Sequence, residues 1–251
     1  MIMARFDGRV AIVTGAGSGL GRATARLLAS EGAAVACLDL AQPAAEETAT
    51  DIRAHGGRAR AYQVDVADPK SAHFAVAAAA KDLGRPQILV NSAGTGKFAR
   101  AHETSYEDWT RIVAVNLTGS FLMCKEVLPH LLEGGGNIVN IASNAGLMGQ
   151  PFSVAYCASK GGVVQLTRAL ADEYIHNNIR VNCVAPGGMA TPLQHNFKLP
   201  EGADRKQIFK IMSPLGNAQP EEVAVLVAYV ASDDARYMTG SILPIDGGLT
   251  L

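Results

Sequence analysis

Tyr156 and Lys160 stand four residues apart, the spacing that places two side chains on one face of a helix. Such a pair has a definite chemistry. A free phenol titrates near 10, too high for a base at neutral pH, and a nearby ammonium stabilises the phenolate and brings the value down. Ser143 lies thirteen residues before Tyr156, just past an apolar stretch at 137–141 that reads as a strand. Its hydroxyl therefore falls at a strand's carboxyl end, where ligands gather in open parallel sheets, and can hold a substrate oxygen beside the phenol. By itself the Tyr-x-x-x-Lys spacing is common, and an exposed helix pair satisfies it equally well.

A second group of residues is suited to phosphate. Thr14-Gly15-Ala16-Gly17-Ser18-Gly19-Leu20-Gly21 sits where a strand hands over to a helix, so backbone amides and the helix dipole can face a pyrophosphate. The pattern is Gly-x-x-x-Gly-x-Gly at Gly15, Gly19 and Gly21, not Gly-x-Gly-x-x-Gly, and no Gly-Lys-Ser/Thr makes it a Walker loop. A tight structural turn is the alternative. Asp39 ends the next apolar run 18 residues after Gly21, near the spacing at which a carboxylate bonds the adenosine ribose hydroxyls. It would repel a 2′-phosphate, residue 40 is Leu, and no Arg or Lys lies between Gly15 and Gly21, so NAD is expected over NADP. A capping or loop aspartate is the other reading.

Periodicity supplies the elements that must position these groups. Strands are predicted at 10–13, 33–38, 59–64, 88–90, 137–141, 180–184 and 241–245. Helices are predicted at 22–28, 43–55, 69–83, about 109–132, about 155–176 and 220–231. Short apolar strands alternating with helices imply an α/β fold, a doubly wound parallel sheet of about seven strands covered on both faces. One domain over 1–251 is expected, with a cofactor half at about 1–150 and a catalytic and substrate half at about 137–251. The stretch 189–218 breaks the rhythm: it is polar, interrupted by Pro192, Pro200 and Pro214, and carries Lys198, Arg205, Lys206 and Lys210. It reads as a lid over a site or as a solvated connection.

Composition narrows the partners. The 251 residues are 48% hydrophobic, 18% charged and 6% aromatic with a net charge of −1, which describes one soluble globular domain with no basic field for nucleic acid or anionic lipid. The longest unbroken apolar run, 223–231, is nine residues, about half of the roughly 20 a spanning helix needs, so no membrane segment is expected. The first nine residues lack a signal peptide's pattern, making the cytoplasm the expected location. Cys37, Cys124, Cys157 and Cys183 contain no Cys-x-x-Cys, and the histidines at 55, 73, 102, 130, 176 and 195 show no ligand spacing. Free thiols and no metal are expected.

Taken together, these residues resemble the short-chain dehydrogenase/reductase family over nearly the whole chain. The resemblance implies a Rossmann-like fold and places the glycine motif at Thr14, Gly15, Gly19 and Gly21, with Ser18, Leu20 and Leu40 alongside. It puts an adenine-ring contact at Asp65 next to Val66, and the family's Asn-Asn-Ala-Gly motif at Asn91-Ser92-Ala93-Gly94, with Ser92 a departure. Pro186-Gly187, Met189 and Thr191 flank the nicotinamide by the same comparison, and Thr239-Gly240 with Asp246-Gly247-Gly248 matches the last strand. The implied catalytic tetrad is Asn116, Ser143, Tyr156 and Lys160, with Ala145 and Gly188 beside the substrate. The implied reaction is hydride transfer between a carbinol carbon and the nicotinamide. In it Tyr156 exchanges the hydroxyl proton, Ser143 orients the oxygen, and Lys160 lowers the phenol's proton affinity and passes protons through a water held by the backbone near Asn116.

The residues expected to wall the substrate, 144–148, 151–153 and 188–189, are mainly small and apolar without an arginine clamp, which favours an uncharged secondary alcohol or ketone. Lid cations reaching an acidic group are the alternative. A 3-oxoacyl-[acyl-carrier-protein] reductase is a second reading, opposed by Asp39 and by segments 130–134 and 176–178 that lack docking arginines. An NAD-sensing regulator is a third, opposed by the intact tetrad. A metal-dependent alcohol dehydrogenase is disfavoured by the scattered Cys and His. The family resemblance implies a homotetramer built through the long helices before Ser143 and after Tyr156, and the small and apolar stretch 161–171 suits close helix contact or, equally, core packing.

Overall fold

A computed structural model describes residues 4–251; residues 1–3, and with them the start of the signal-peptide reading, lie outside it, as does the side chain of Arg205. Seven strands run in the order of the chain: β1 (Val10–Thr14), β2 (Ala34–Asp39), β3 (Arg58–Gln63), β4 (Ile88–Asn91), β5 (Gly136–Ile141), β6 (Ile179–Pro186) and β7 (Ile242–Ile245). The helices are α1 (Gly19–Ser30), α2 (Gln42–Ala54), α3 (Pro69–Leu83), α4 (Tyr106–Val113), α5 (Gly119–Leu132), α6 (Val154–Tyr174), α7 (Arg205–Phe209) and α8 (Pro220–Ala231). All strand pairs are parallel, in the spatial order β3-β2-β1-β4-β5-β6-β7. The strand order reverses between β1 and β4, and the crevice outside the carboxyl ends there is where such sheets take ligands.

Alternation along each strand divides the core into two layers. Ala11 and Val13 of β1 join Leu28 of α1, Ile52 of α2 and Val223 and Val227 of α8 on one face. Ile12 points to the other face, with Val76 of α3, Val127 and Leu131 of α5 and Leu170 of α6. Both faces are therefore covered, as the continuous apolar strands require.

Three departures from the sequence reading have physical causes. Helix α1 begins at Gly19, not 22: glycine's low helix propensity hid a turn that is already helical inside the loop. Between α4 and α5 the chain makes a π turn, Ala114–Thr118, with Asn116 at its centre, an insertion that frequently marks functional sites. Counted through that turn, Tyr106–Leu132 is 27 residues long with a mean hydropathy of 1.3 over 18 residues, long and apolar enough to cross a membrane by length and composition alone, and half of that window is buried. Counting only unbroken apolar runs missed it; its inward positions Leu122, Met123, Val127 and Leu131 lie in the core.

The 189–218 stretch is ordered by local turns. It contains a 3₁₀ turn, Pro192–Asn196, and α7, whose N-cap Asp204 accepts from the Lys206 amide. Its ends meet in a parallel bridge between Met189 and Ala218, where the Ala218 amide donates to Gly188 O and the Ala190 amide to Ala218 O, both at 3.0 Å.

Candidate active site

At the turn from β1 into α1 the chain must bend tightly, and two glycines allow it. Gly15 has φ +66° with the Ala93 backbone 3.0 Å from where a Cβ would stand, and a Cβ on Gly21 would overlap the Gly15 carbonyl. Thr14 ties this turn to the end of β4 by accepting the Ser92 and Ala93 amides at 3.0 Å each. The loop is thus fixed from both sides of the strand-order reversal.

Asp39, at the end of β2, has both carboxylate oxygens engaged: Oδ2 accepts from the Gly17 amide and Oδ1 from the Ala41 amide, both at 2.9 Å. Each oxygen retains lone-pair capacity for a further donor. Arg22, the basic residue directly after the glycine loop, gives its guanidinium to Gly17 O and Glu47.

A cavity of about 530 Å³ joins these groups to the expected catalytic residues. Gly15, Ser18, Gly19, Leu20, Gly21, Asp39, Leu40, Asp65, Val66, Ala93, Gly94, Tyr156, Lys160, Met189 and Thr191 line it, as the sequence reading grouped them. Asn91, Asn116, Ser143, Ala145, Pro186, Gly187 and Gly188 do not line it. Asn91 is instead buried, its Nδ2 donating to Asn140 Oδ1 at 2.9 Å, and Gly187 packs against the Asp246 backbone. Val64, Ile141, Thr95, Arg111 and Val115 line the cavity without having been singled out. Val64 and Ile141 sit at or just past carboxyl ends of strands and were findable by that rule; Arg111 and Val115 carried no motif. The glycines let the turn close where a Cβ would strike Ala93, Thr191 or the Gly15 carbonyl, and the volume falls in the range of cofactor sites, so these residues fit a dinucleotide.

Asn116 holds the neighbouring loop. Its Oδ1 accepts from the Thr95 amide at 2.8 Å, and its Nδ2 donates to Thr95 O at 2.9 Å and to Ser159 Oγ at 3.0 Å. Ser159 in turn donates to Tyr156 O at 2.8 Å. The π turn therefore braces α6 at the level of the phenol. The carbonyl of Asn116, expected to hold a water, accepts from Ser120 Oγ at 2.7 Å.

Burial dominates the titration of the pair. It pushes the Tyr156 phenol up to about 12, with the Ser143 hydroxyl pulling the other way, and it brings Lys160 down to about 8. Lys160 does not bond the phenol; its Nζ donates to Ile141 O at 2.8 Å and stands 5.8 Å from the Tyr156 ring centroid. Burial is the largest influence on both groups, and the ammonium is turned to the Ile141 carbonyl, so it does not offset the rise of the phenol in this arrangement.

These shifts give a stability signature. For Lys160 the unfolded chain holds more protons between about 8 and 10.5, so its contribution makes stability rise with pH there; for Tyr156 the folded chain holds more between 10.0 and about 12, so stability falls there. Lys160→Met removes the rising limb and raises stability at neutral pH. Urea midpoints across this range check it; a limb unchanged in the variant assigns it elsewhere.

The comparisons agree with the geometry. Residues 15–250 match the family model described as Enoyl-(Acyl carrier protein) reductase. The chain is 44% identical over 249 residues to D-threitol dehydrogenase of Mycolicibacterium smegmatis, covering 98% of this chain and 95% of that protein. It is 40% identical over 247 residues to meso-2,3-butanediol dehydrogenase of Serratia marcescens, covering 98% and 96%. Its fold matches 3-ketoacyl-(acyl-carrier-protein) reductase from Brucella melitensis, solved in complex with NADH, with TM-score 0.90, 36% identity and coverage of 98% and 100%. A parallel seven-stranded sheet, a glycine turn at its order reversal and a Tyr/Lys pair at the far end of one cavity complete the assignment: the chain belongs to the short-chain dehydrogenase/reductase family, oxidoreductases of CH–OH groups that use a nicotinamide cofactor.

Proposed function

We propose that this enzyme oxidises an uncharged secondary alcohol to a ketone with NAD, and runs the reverse reaction with NADH. The observation that carries this reading is one cavity with the Asp39 carboxylate at one end and Tyr156 and Lys160 at the other. The nicotinamide supplies the hydride-accepting carbon when bound. Tyr156 Oη exchanges the proton of the substrate oxygen, as the phenol in reduction and as the phenolate in oxidation; the Ser143 hydroxyl, which stands beside that phenol and donates to Asn144 Oδ1, orients the substrate oxygen; Lys160 holds positive charge near the ribose; Asn116 fixes Thr95 and the start of α6. Gly15, Gly19 and Gly21 cradle the pyrophosphate, Asp65 and Val66 the adenine, Met189 and Thr191 the nicotinamide side, and Ala145 and Gly188 border the substrate.

Preference for NAD rests on Asp39, held as an acceptor by two amides, while Arg22 is committed to Gly17 O and Glu47. Asp39→Ser is expected to lower kcat/KM with NAD about tenfold and raise it with NADP. Initial rates with both cofactors check this, and an unchanged ratio removes Asp39 from cofactor choice. The decisive test of the whole reading is NADH formation over cyclic, linear and polyol secondary alcohols, with NADP in parallel.

A single domain over 1–251 in the cytoplasm and a homotetramer complete the proposal. Tyr106, Trp109 and Phe121 on α4 and α5 are exposed at 78%, 40% and 47%, an apolar face suited to a second copy. Sedimentation equilibrium at micromolar protein is expected to give four chains; a monomer overturns it.

A further inference from the structure

Three phenylalanines far apart in the sequence meet at the catalytic tyrosine. Phe197 lies in the 189–218 stretch, Phe98 in the loop after β4, and Phe152 just before α6. The Phe197 ring stands edge-on to Tyr156 with centroids 5.3 Å apart, and to Phe98 at 4.9 Å; Phe98 meets Phe152 at 6.5 Å. These are the T-shaped arrangements aromatic quadrupoles prefer. Phe197 is half-buried while Gln194, His195, Asn196, Lys198 and Leu199 around it are exposed, so this ring is the point at which its part of the lid attaches.

Two backbone features exist to make the contact possible. A Cβ on Gly96 would strike Phe197 Cζ and stand 2.9 Å from Tyr156 Cδ2; only glycine lets the phenylalanine reach the tyrosine. Phe152 adopts φ 63°, a left-handed conformation rare for a bulky residue, and its carbonyl accepts from the Ala99 amide at 2.9 Å. Strain of this kind persists where the surroundings over-determine it, typically at ligand clamps. A second tether, Arg100 Nη2 donating to Glu201 O at 2.7 Å, ties the same loop to the lid.

We infer that Phe197, Phe98 and Phe152 form the specificity-determining wall of the substrate pocket, and that it selects a compact apolar ring bearing the carbinol over an open-chain polyol. This rests on the proposed alcohol oxidation and deepens it. An alicyclic skeleton replaces water against ring carbons. A polyol's further hydroxyls would meet the same carbons without partners, and unpaired buried hydroxyls are costly. Phe197 couples closure of the lid to this recognition, because its ring touches the tyrosine that reacts and the loop that forms the wall.

The test compares cyclohexanol with erythritol in the native enzyme, Phe197→Ala and Gly96→Ala, using NAD and NADP in parallel. The native enzyme is expected to favour cyclohexanol by about tenfold or more in kcat/KM. Phe197→Ala is expected to raise KM for cyclohexanol about fivefold or more and to narrow the cyclohexanol-to-erythritol ratio of kcat/KM by about fivefold or more. Gly96→Ala, whose methyl would press both the Phe197 ring and Tyr156, is expected to raise KM for cyclohexanol in the same way and to lower kcat as well. NADH affinity by fluorescence titration stays unchanged in both variants, reporting an intact fold and cofactor site. Equal or better turnover of erythritol by the native enzyme, equal loss on both alcohols in Phe197→Ala, or no oxidation of either alcohol with either cofactor overturns the inference. Activity with NADP alone, or activity that survives Tyr156→Phe, removes the NAD or the proton-transfer reading and leaves the aromatic wall standing.

Discussion

Replacing Tyr156 with Phe is expected to lower kcat by about 10²–10⁴-fold while leaving NADH affinity unchanged. The substitution removes one oxygen and keeps the ring, so the edge contact with Phe197 and the brace from Ser159 to the residue 156 carbonyl both survive. What disappears is the group proposed to exchange the alcohol proton. Stability changes by no more than about 1 kcal/mol, because the Ser143 hydroxyl beside the phenol keeps its bonds to Asn144 Oδ1 and the Ala145 amide. Single-turnover NADH formation and a fluorescence titration together decide it: a variant that keeps more than about a tenth of the native rate shows that another group moves the proton.

The second large effect belongs to the glycine turn. Gly21→Ala would drive a methyl into the Gly15 carbonyl and bring it to 3.1 Å from the Ala16 amide, and both are backbone atoms that cannot rotate aside. Gly15 cannot yield either, since it is already at φ +66° against the Ala93 backbone. The loop must shift, and with it every amide aimed at the pyrophosphate. The expected loss is about 100-fold or more in NADH affinity, with about 1–3 kcal/mol of stability lost to overpacking. Gly149→Ala, where a Cβ meets nothing within 4 Å, is the control and is expected to bind NADH normally. Native-like affinity in Gly21→Ala would mean the cofactor does not rest on this turn.

Much of this was legible because it is local. The apolar runs of β1, β2 and β5, the glycine spacing and the position of Asp39 follow from short stretches read with their periods, and helix α3 spans Pro69–Leu83 in the structure as its pattern indicated. What escaped is non-local or backbone-borne. Lys160 donates to the carbonyl of Ile141, and any residue type offers a carbonyl, so no sequence pattern marks it. The π turn at Asn116 adds a residue to a helix whose apolar rhythm is only slightly disturbed by it. Phe98, Phe152 and Phe197 share no spacing; the fold brings them together. Burial, the largest influence on the phenol, comes from residues distant in the sequence and so carried no local signal.

The bridge between Met189 and Ala218 makes residues 190–217 a loop whose mouth is held shut by backbone bonds just beyond the carboxyl end of β6. The closure entropy of a loop grows only slowly with its length, so once the mouth is fixed, its contents can lengthen, shorten or change sequence with little consequence for the seven strands beneath. The protein is thereby divided into a fixed sheet and a loop closed on itself. Grafting a different segment after Leu193, so that Thr191 and its neighbours keep their place in the cavity, would re-address the enzyme to another alcohol.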